Sequence, residues 1–187
     1  MSSTLLTDAR LYALLQRCDE DLASRVREAG CRCCGGALHS ARYRRKPRGL
    51  VRGSARQEHW RMSFCCARDL CRKRATPPSL RFLGRRVYLA TAVVLASLMR
   101  CEATPVRIRR LEALIGVSRR TVQRWQKWWR CWLPRSAFWR GARAQLCEPV
   151  VIADLPRSLW DRFSGEAEQR LESLLRFLSP LTGGTPL

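Results

Sequence analysis

The chain has 187 residues, with 36 Lys/Arg against 15 Asp/Glu and a formal charge of +21; that length suits one compact domain or two small ones. Its longest apolar stretch, positions 87–99, is far short of the about 20 residues that a membrane span needs. Asp8 and Arg10 follow closely on Leu5 and Leu6, so no secretory leader and no membrane partner is expected. The ten cysteines are then read as belonging to a reducing cytoplasm, where they point to a metal rather than to disulfides.

The charge is concentrated. Residues 31–76 hold thirteen Lys/Arg against two acids, residues 77–101 four against none, and residues 102–147 eleven against two. The flanking segments are close to neutral, at −1 for residues 1–30 and −2 for residues 148–187. A central block this basic attracts polyanions, with an affinity that falls as salt rises.

In chain order, Leu11, Leu14, Leu15, Cys18, Leu22 and Val26 recur at helical spacing and predict one helix over 4–29, stopped by Gly30. Residues 31–76 read as a small metal-centred β module. Cys31 and Cys34 form a C-x2-C pair followed by Gly35 and Gly36, and Cys66 and Cys71 form a C-x4-C pair. Two such pairs can place four thiolates at the corners of a tetrahedron, so one structural Zn2+ is expected. The glycines after Cys34 favour it over Cys33, and spacing favours Cys66 over Cys65; His39 or His59 could also take a corner. His59 to Phe64 alternates polar and apolar residues, as a half-buried strand does. The stretch 42–56, with Arg44, Arg45, Lys46 and Arg48, is expected to be an extended basic finger that grips phosphates. The prolines at 77 and 78 close the module.

An apolar helix is expected over 80–101, within a linker region of 77–104. Residues 105–147 are read as a helix-turn-helix domain: a first helix over 106–115, a turn at Gly116-Val117-Ser118, and a second helix capped by Ser118. Val122, Trp125 and Trp129 share one face of that second helix. Arg119, Arg120, Thr121, Gln123, Arg124 and Lys127 are the candidate DNA contacts, because Arg and Gln pair bidentately with guanine and adenine in the major groove. Glu112 stands four before the turn glycine, where the common motif carries a small residue. The cluster Trp125, Trp128, Trp129 and Trp132 is read as core, with Trp128 its exposed member. Residues 148–187 are read as a short helix after Pro156, an amphipathic helix over 165–179 capped by Ser164, and a disordered tail. No set of converging carboxylates and no phosphate-binding glycine loop appears, so no enzymatic activity is expected.

The run Cys31-Arg32-Cys33-Cys34-Gly35-Gly36, the basic stretch from Tyr43 to Gly49, and Phe64-Cys65-Cys66 through Cys71 to Thr76-Pro77-Pro78 resemble the zinc ribbon at the front of bacterial insertion-sequence transposases. Leu114 to Trp125 resembles the helix-turn-helix of transposon-encoded DNA-binding proteins. The resemblance implies a mainly α protein with a small zinc-ribbon β module, acting on double-stranded DNA in the nucleoid as a mobile-element accessory factor or regulator. It further implies a transposase or other mobile-element protein as a partner, while the N-terminal helix over 4–29 could also form a homodimer; RNA or single-strand binding and a non-catalytic assembly role are the alternatives.

Overall fold

The computed structural model describes residues 2–45, 48–49, 59–83, 89–102, 106, 109 and 113–183. The predicted first helix is broken into α1 (Ser2–Thr7) and α2 (Ala9–Ala29). Asp8 makes the break: its carboxylate accepts from the N–H groups of Arg10 and Leu11 and restarts the helix as an N-cap. Leu11, Leu15, Cys18 and Ala23 form the buried stripe of α2, and Gly30 ends it at φ +73°.

A three-stranded antiparallel sheet follows, in the order β1-β2-β3. Strand β1 (Leu38–Arg45) pairs with β2 (His59–Cys66) in a register running from Leu38 opposite Cys66 to Arg45 opposite His59. Strand β3 (Arg74–Ala75) pairs with the far end of β2. The expected finger over 42–56 is therefore corrected at its start: Arg42 to Arg45 belong to the β ladder rather than to an extended loop. Gly49 (φ +85°) brings the chain back onto the apolar core, where a Cβ would sit 2.9 Å from that of Ala92, and the Leu89 N–H donates to the Arg48 carbonyl. Residues 50–56 of the finger, like Lys46 and Pro47, lie outside the described residues.

The apolar helix α3 runs Ala90–Glu102, later than the expected 80–101. Residues before it are held otherwise: the Leu80 N–H is taken by Asp19, and Phe82 bridges to Leu89. The helix α4 (Arg119–Lys127) passes into a π-helical turn at Trp128–Trp132. Three helices follow: α5 (Ala137–Ala142), which the sequence pattern does not announce, α6 (Arg157–Trp160) after Pro156, and α7 (Ala167–Leu178). The start of α7 is formed by Glu166, whose N–H donates to the Gln169 side chain, and not by Ser164.

The chain is thus mainly helical with one small sheet, in line with its composition and patterning. Leu11, Leu15, Val94, Trp129 and Leu171 share one large apolar core; Ala23, Cys31, Leu38, Phe64 and Cys66 form a second, smaller one. No helix among the described residues is long and apolar enough to cross a membrane.

Candidate metal centre and the exposed face of α4

Two tight loops bring four cysteines together. In the first, the Cys31 N–H donates to the Gly36 carbonyl (2.8 Å) and the Gly35 N–H to the Cys31 carbonyl (2.7 Å). Gly35 sits at φ +68°, which glycine adopts without a Cβ clash. Gly36 meets a different demand: a Cβ there would lie 3.1 Å from the Arg68 side chain, whose guanidinium donates to the Cys34 carbonyl (3.0 Å) and ties the two loops. In the second loop, the Cys71 and Arg72 N–H groups both donate to the Arg68 carbonyl at 3.0 Å.

The Sγ atoms of Cys31, Cys34, Cys66 and Cys71 lie within 4.8 Å of one another. Cys31 and Cys71 are 3.7 Å apart and Cys34 and Cys66 3.4 Å. A tetrahedral thiolate site with metal–sulfur bonds of about 2.3 Å has sulfur–sulfur edges of about 3.8 Å, so the pocket has the size of a single structural metal site. Four protein ligands would close the coordination shell and leave no position for a substrate.

The electrostatics fit a cation. The N–H groups of Cys33 and Cys34 point at the Cys31 sulfur and hold its thiol down, at about 7. At Cys66 the Arg68 N–H acts in the same direction. Burial and the neighbouring thiols outweigh it and push the group up to about 12. Four sulfurs this close cannot all ionise against one another, whereas a dication reverses that balance.

The rival ligands fall away on geometry. Cys33 is exposed. Cys65 donates to the Arg72 carbonyl and stands opposite His39, one residue off the register of Cys66 and so on the other face of the sheet. His59 pairs with Arg45 at the end of the ribbon remote from the cysteines.

Of the other predicted positions, Arg44 is exposed, with its guanidinium 5.1 Å from the centroid of the Trp60 ring, and Arg45 lies 4.7 Å from that of Tyr43 while donating to its hydroxyl. Arg48 is exposed. On α4, Arg119, Arg120, Gln123, Arg124 and Lys127 are exposed, while Val122 and Trp125 are buried and Trp129 is fully enclosed. Thr121 does not join the exposed set: it is buried, and its hydroxyl bonds to Ser118 and Arg124. Ser118 accepts from the Thr121 N–H and caps the helix as expected.

The first helix of the expected motif is described only at Val106, Arg109 and 113–115. There Ile115 is buried and Val106 is exposed, and Gly116 turns the chain at φ +63°; Leu111 and Glu112 lie outside the described residues. Trp128 packs edge-on against Trp129 and is half-buried. The exposed member of this cluster is instead Trp132, at 66%, because the π turn adds a residue between Trp128 and Leu133. The chain matches no known protein family, no curated protein and no solved structure.

Proposed function

We propose that the chain is a DNA-binding protein in which α4 reads base edges in the major groove, the arginines of β1 grip phosphates, and the cysteine cluster holds one structural Zn2+. The observation that carries this reading is the division of α4. Five polar side chains lie exposed along nine residues, and the opposite face is locked into the core by Val122, Trp125 and the following Trp129. A recognition helix needs such rigid support, because base discrimination depends on holding bidentate donors in place. The basic block supplies the sequence-independent attraction.

Zinc is the metal that suits four thiolates in a closed tetrahedral shell and an intracellular setting. Zinc would hold the two loops in place as a structural element and take no part in reaction chemistry. Within this reading, the similarity of the cysteine loops and of the turn before α4 to those of transposon-encoded proteins supports a mobile-element accessory factor or a regulator.

Selection of binding sites from randomised duplexes tests the reading. The wild-type protein is expected to enrich a preferred site, and absence of enrichment sinks base reading by α4. The exposed Trp132 supports a second reading, single-strand binding by base stacking. Competition between duplex and single-stranded oligonucleotides separates the two.

A further inference from the structure

Arg61 of β2 is a buried cation without an ion-pair partner of its own among the described residues. Its side chain is turned inward, and the residue is only 5% exposed. One guanidinium nitrogen donates to the carbonyls of Pro77 (3.2 Å) and Thr182 (2.7 Å), while Nε meets no acceptor. The carboxylate whose charge acts on it, Asp19, is already engaged by the Ser79 hydroxyl, the Leu80 N–H and Arg81 Nε. Among the described residues no carboxylate lies within ion-pair distance of Arg61. Burial holds its pKa below the ordinary arginine value, although the charge of Asp19 pulls the other way, which is the signature of a charge moved out of water with only partial compensation.

Arg61 lines a cavity of about 100 Å³ between α2 and the ribbon. The charged groups around that cavity are Arg42, Arg61 and Arg81 against Asp19 and Glu20. Asp19 is neutralised by Arg81 at 2.8 Å, which leaves Arg61 and Arg42 against the single carboxylate of Glu20, itself accepting from the Gln16 amide, so the excess is one positive charge. Arg42 is exposed and can meet a ligand at the mouth. One water needs about 10–15 Å³ on this measure, so the cavity has room for a tetrahedral oxyanion.

We infer that this cavity binds a phosphate group, with Arg61 supplying the buried charge and Arg42 a guanidinium at the entrance. Arginine is the side chain best matched to phosphate oxygens, through charge-assisted hydrogen bonds. The phosphate can come from solution as inorganic phosphate or from a nucleic-acid backbone reaching the mouth. Base reading by α4 is not required for either.

The test is thermal unfolding of the full chain in phosphate and in chloride at matched ionic strength, alongside Arg42→Gln and Arg61→Gln. A second arm uses a short duplex without terminal phosphates. Phosphate should raise the wild-type Tm saturably, by roughly 5 °C or more at a hundredfold excess over Kd. Arg42→Gln should weaken the apparent Kd by about tenfold or more, as expected for loss of a charged hydrogen bond, and Arg61→Gln should abolish the increment. A rise with inorganic phosphate identifies a free-anion site. A rise with the duplex alone that Arg42→Gln removes identifies the backbone as the source. No wild-type rise over chloride in either arm overturns the inference, and so does an equal rise in all three proteins, which means an adventitious ion only in the phosphate arm and duplex contact elsewhere on the chain in the second. If Arg61→Gln does not fold, Arg42→Gln decides alone, since it alters an exposed side chain.

Discussion

Arg81 donates from Nε to the Asp19 carboxylate at 2.8 Å and from Nη2 to the Trp60 carbonyl at 2.8 Å. One side chain therefore joins α2 to β2, and the cysteine-bearing sheet to the helical core. Asp19 completes the joint by accepting from Ser79 Oγ and the Leu80 N–H at 2.7 and 2.6 Å. Thr182, near the C-terminal end of the described chain, closes it from the other side with bonds to the Ser79 backbone. The joint is consequently expected to couple the sheet to the helices, so that weakening it destabilises both.

Asp19→Ala should destabilise the protein by about 3–5 kcal/mol, because it leaves a buried guanidinium, a hydroxyl and a backbone N–H without their acceptor. Asp21→Ala, at an exposed position two residues on, should change stability by about 0.5 kcal/mol or less. Urea denaturation followed by tryptophan fluorescence distinguishes the two. Equal midpoints would show that the Asp19 network contributes nothing net.

Cys31→Ser and Cys71→Ser should each abolish tight metal binding and unfold the ribbon. The small core of Leu38, Phe64 and Cys66 has little apolar surface of its own, so metal affinity there is folding energy. Cys33→Ser and Cys65→Ser should retain the metal, since neither sulfur belongs to the cluster. Metal analysis of the four purified variants checks this, against an expected one equivalent of zinc in the wild type. Loss of metal in Cys33→Ser or Cys65→Ser with retention in Cys31→Ser would reassign the ligands.

Metal binding should release more than one proton per site at pH 7. In the folded site before metal enters, Cys31, at about 7, is then about half ionised, and Cys66, at about 12, is protonated. Both must be thiolates to bind. Without metal the two thiols act in opposite senses. Cys31, depressed from 9.0, adds stability above that value, and the contribution is lost as pH falls through about 7. Cys66, raised from 9.0, adds stability below that value and loses it as pH rises toward about 12. Metal reverses the Cys66 effect, so the loaded protein should become less stable on acidification. Titration calorimetry in buffers of different ionisation enthalpy counts the protons; a count of zero contradicts the assignment.

The cysteine set is legible in the sequence because spacing and glycine placement follow from coordination geometry, and residues 31, 34, 66 and 71 meet as expected. The packing stripe of α4 is equally readable from its period, down to Val122, Trp125 and Trp129. Strand β1 is not. Its exposed and half-buried positions, Arg42, Arg44 and Tyr43 among them, alternate no apolar side chains, so the ladder with β2 leaves little trace in the pattern. The role of Asp19 is hidden too, because its partners lie about sixty residues on, and one sequence carries no signal for so distant a pair. Regular helical phasing would expose Trp128, and the π turn breaks that phasing and exposes Trp132 in its place.

Replacing Arg44, Arg45, Lys46 and Arg48 together by Gln should weaken binding to all duplexes alike and reduce the slope of log K against log salt. Each phosphate left without its cation flattens that slope by about 0.9. Arg44, Arg45 and Arg48 are not needed to build the core, so the folded state should persist. The measurement is fluorescence anisotropy at several salt concentrations. Reduced affinity for the selected site alone would instead make this segment a base reader.

Gln123→Ala, Arg120→Ala and Trp125→Ala separate recognition from support within α4. The first two remove exposed side chains, keep helix propensity, and leave Val122 and Trp125 in place. Each should reduce discrimination by about 1–3 kcal/mol at one base pair while nonspecific affinity barely moves. Trp125 is only 8% exposed, so its truncation should instead cost about 3–5 kcal/mol of stability through reduced burial and the cavity left behind. Site selection with the two polar variants, beside thermal unfolding of all three, gives both readouts. Identical enriched sites for wild type, Gln123→Ala and Arg120→Ala would mean that this helix is not read against bases. The exposed arginines would then serve as nonspecific phosphate contacts, and Trp125 would keep its stability effect regardless.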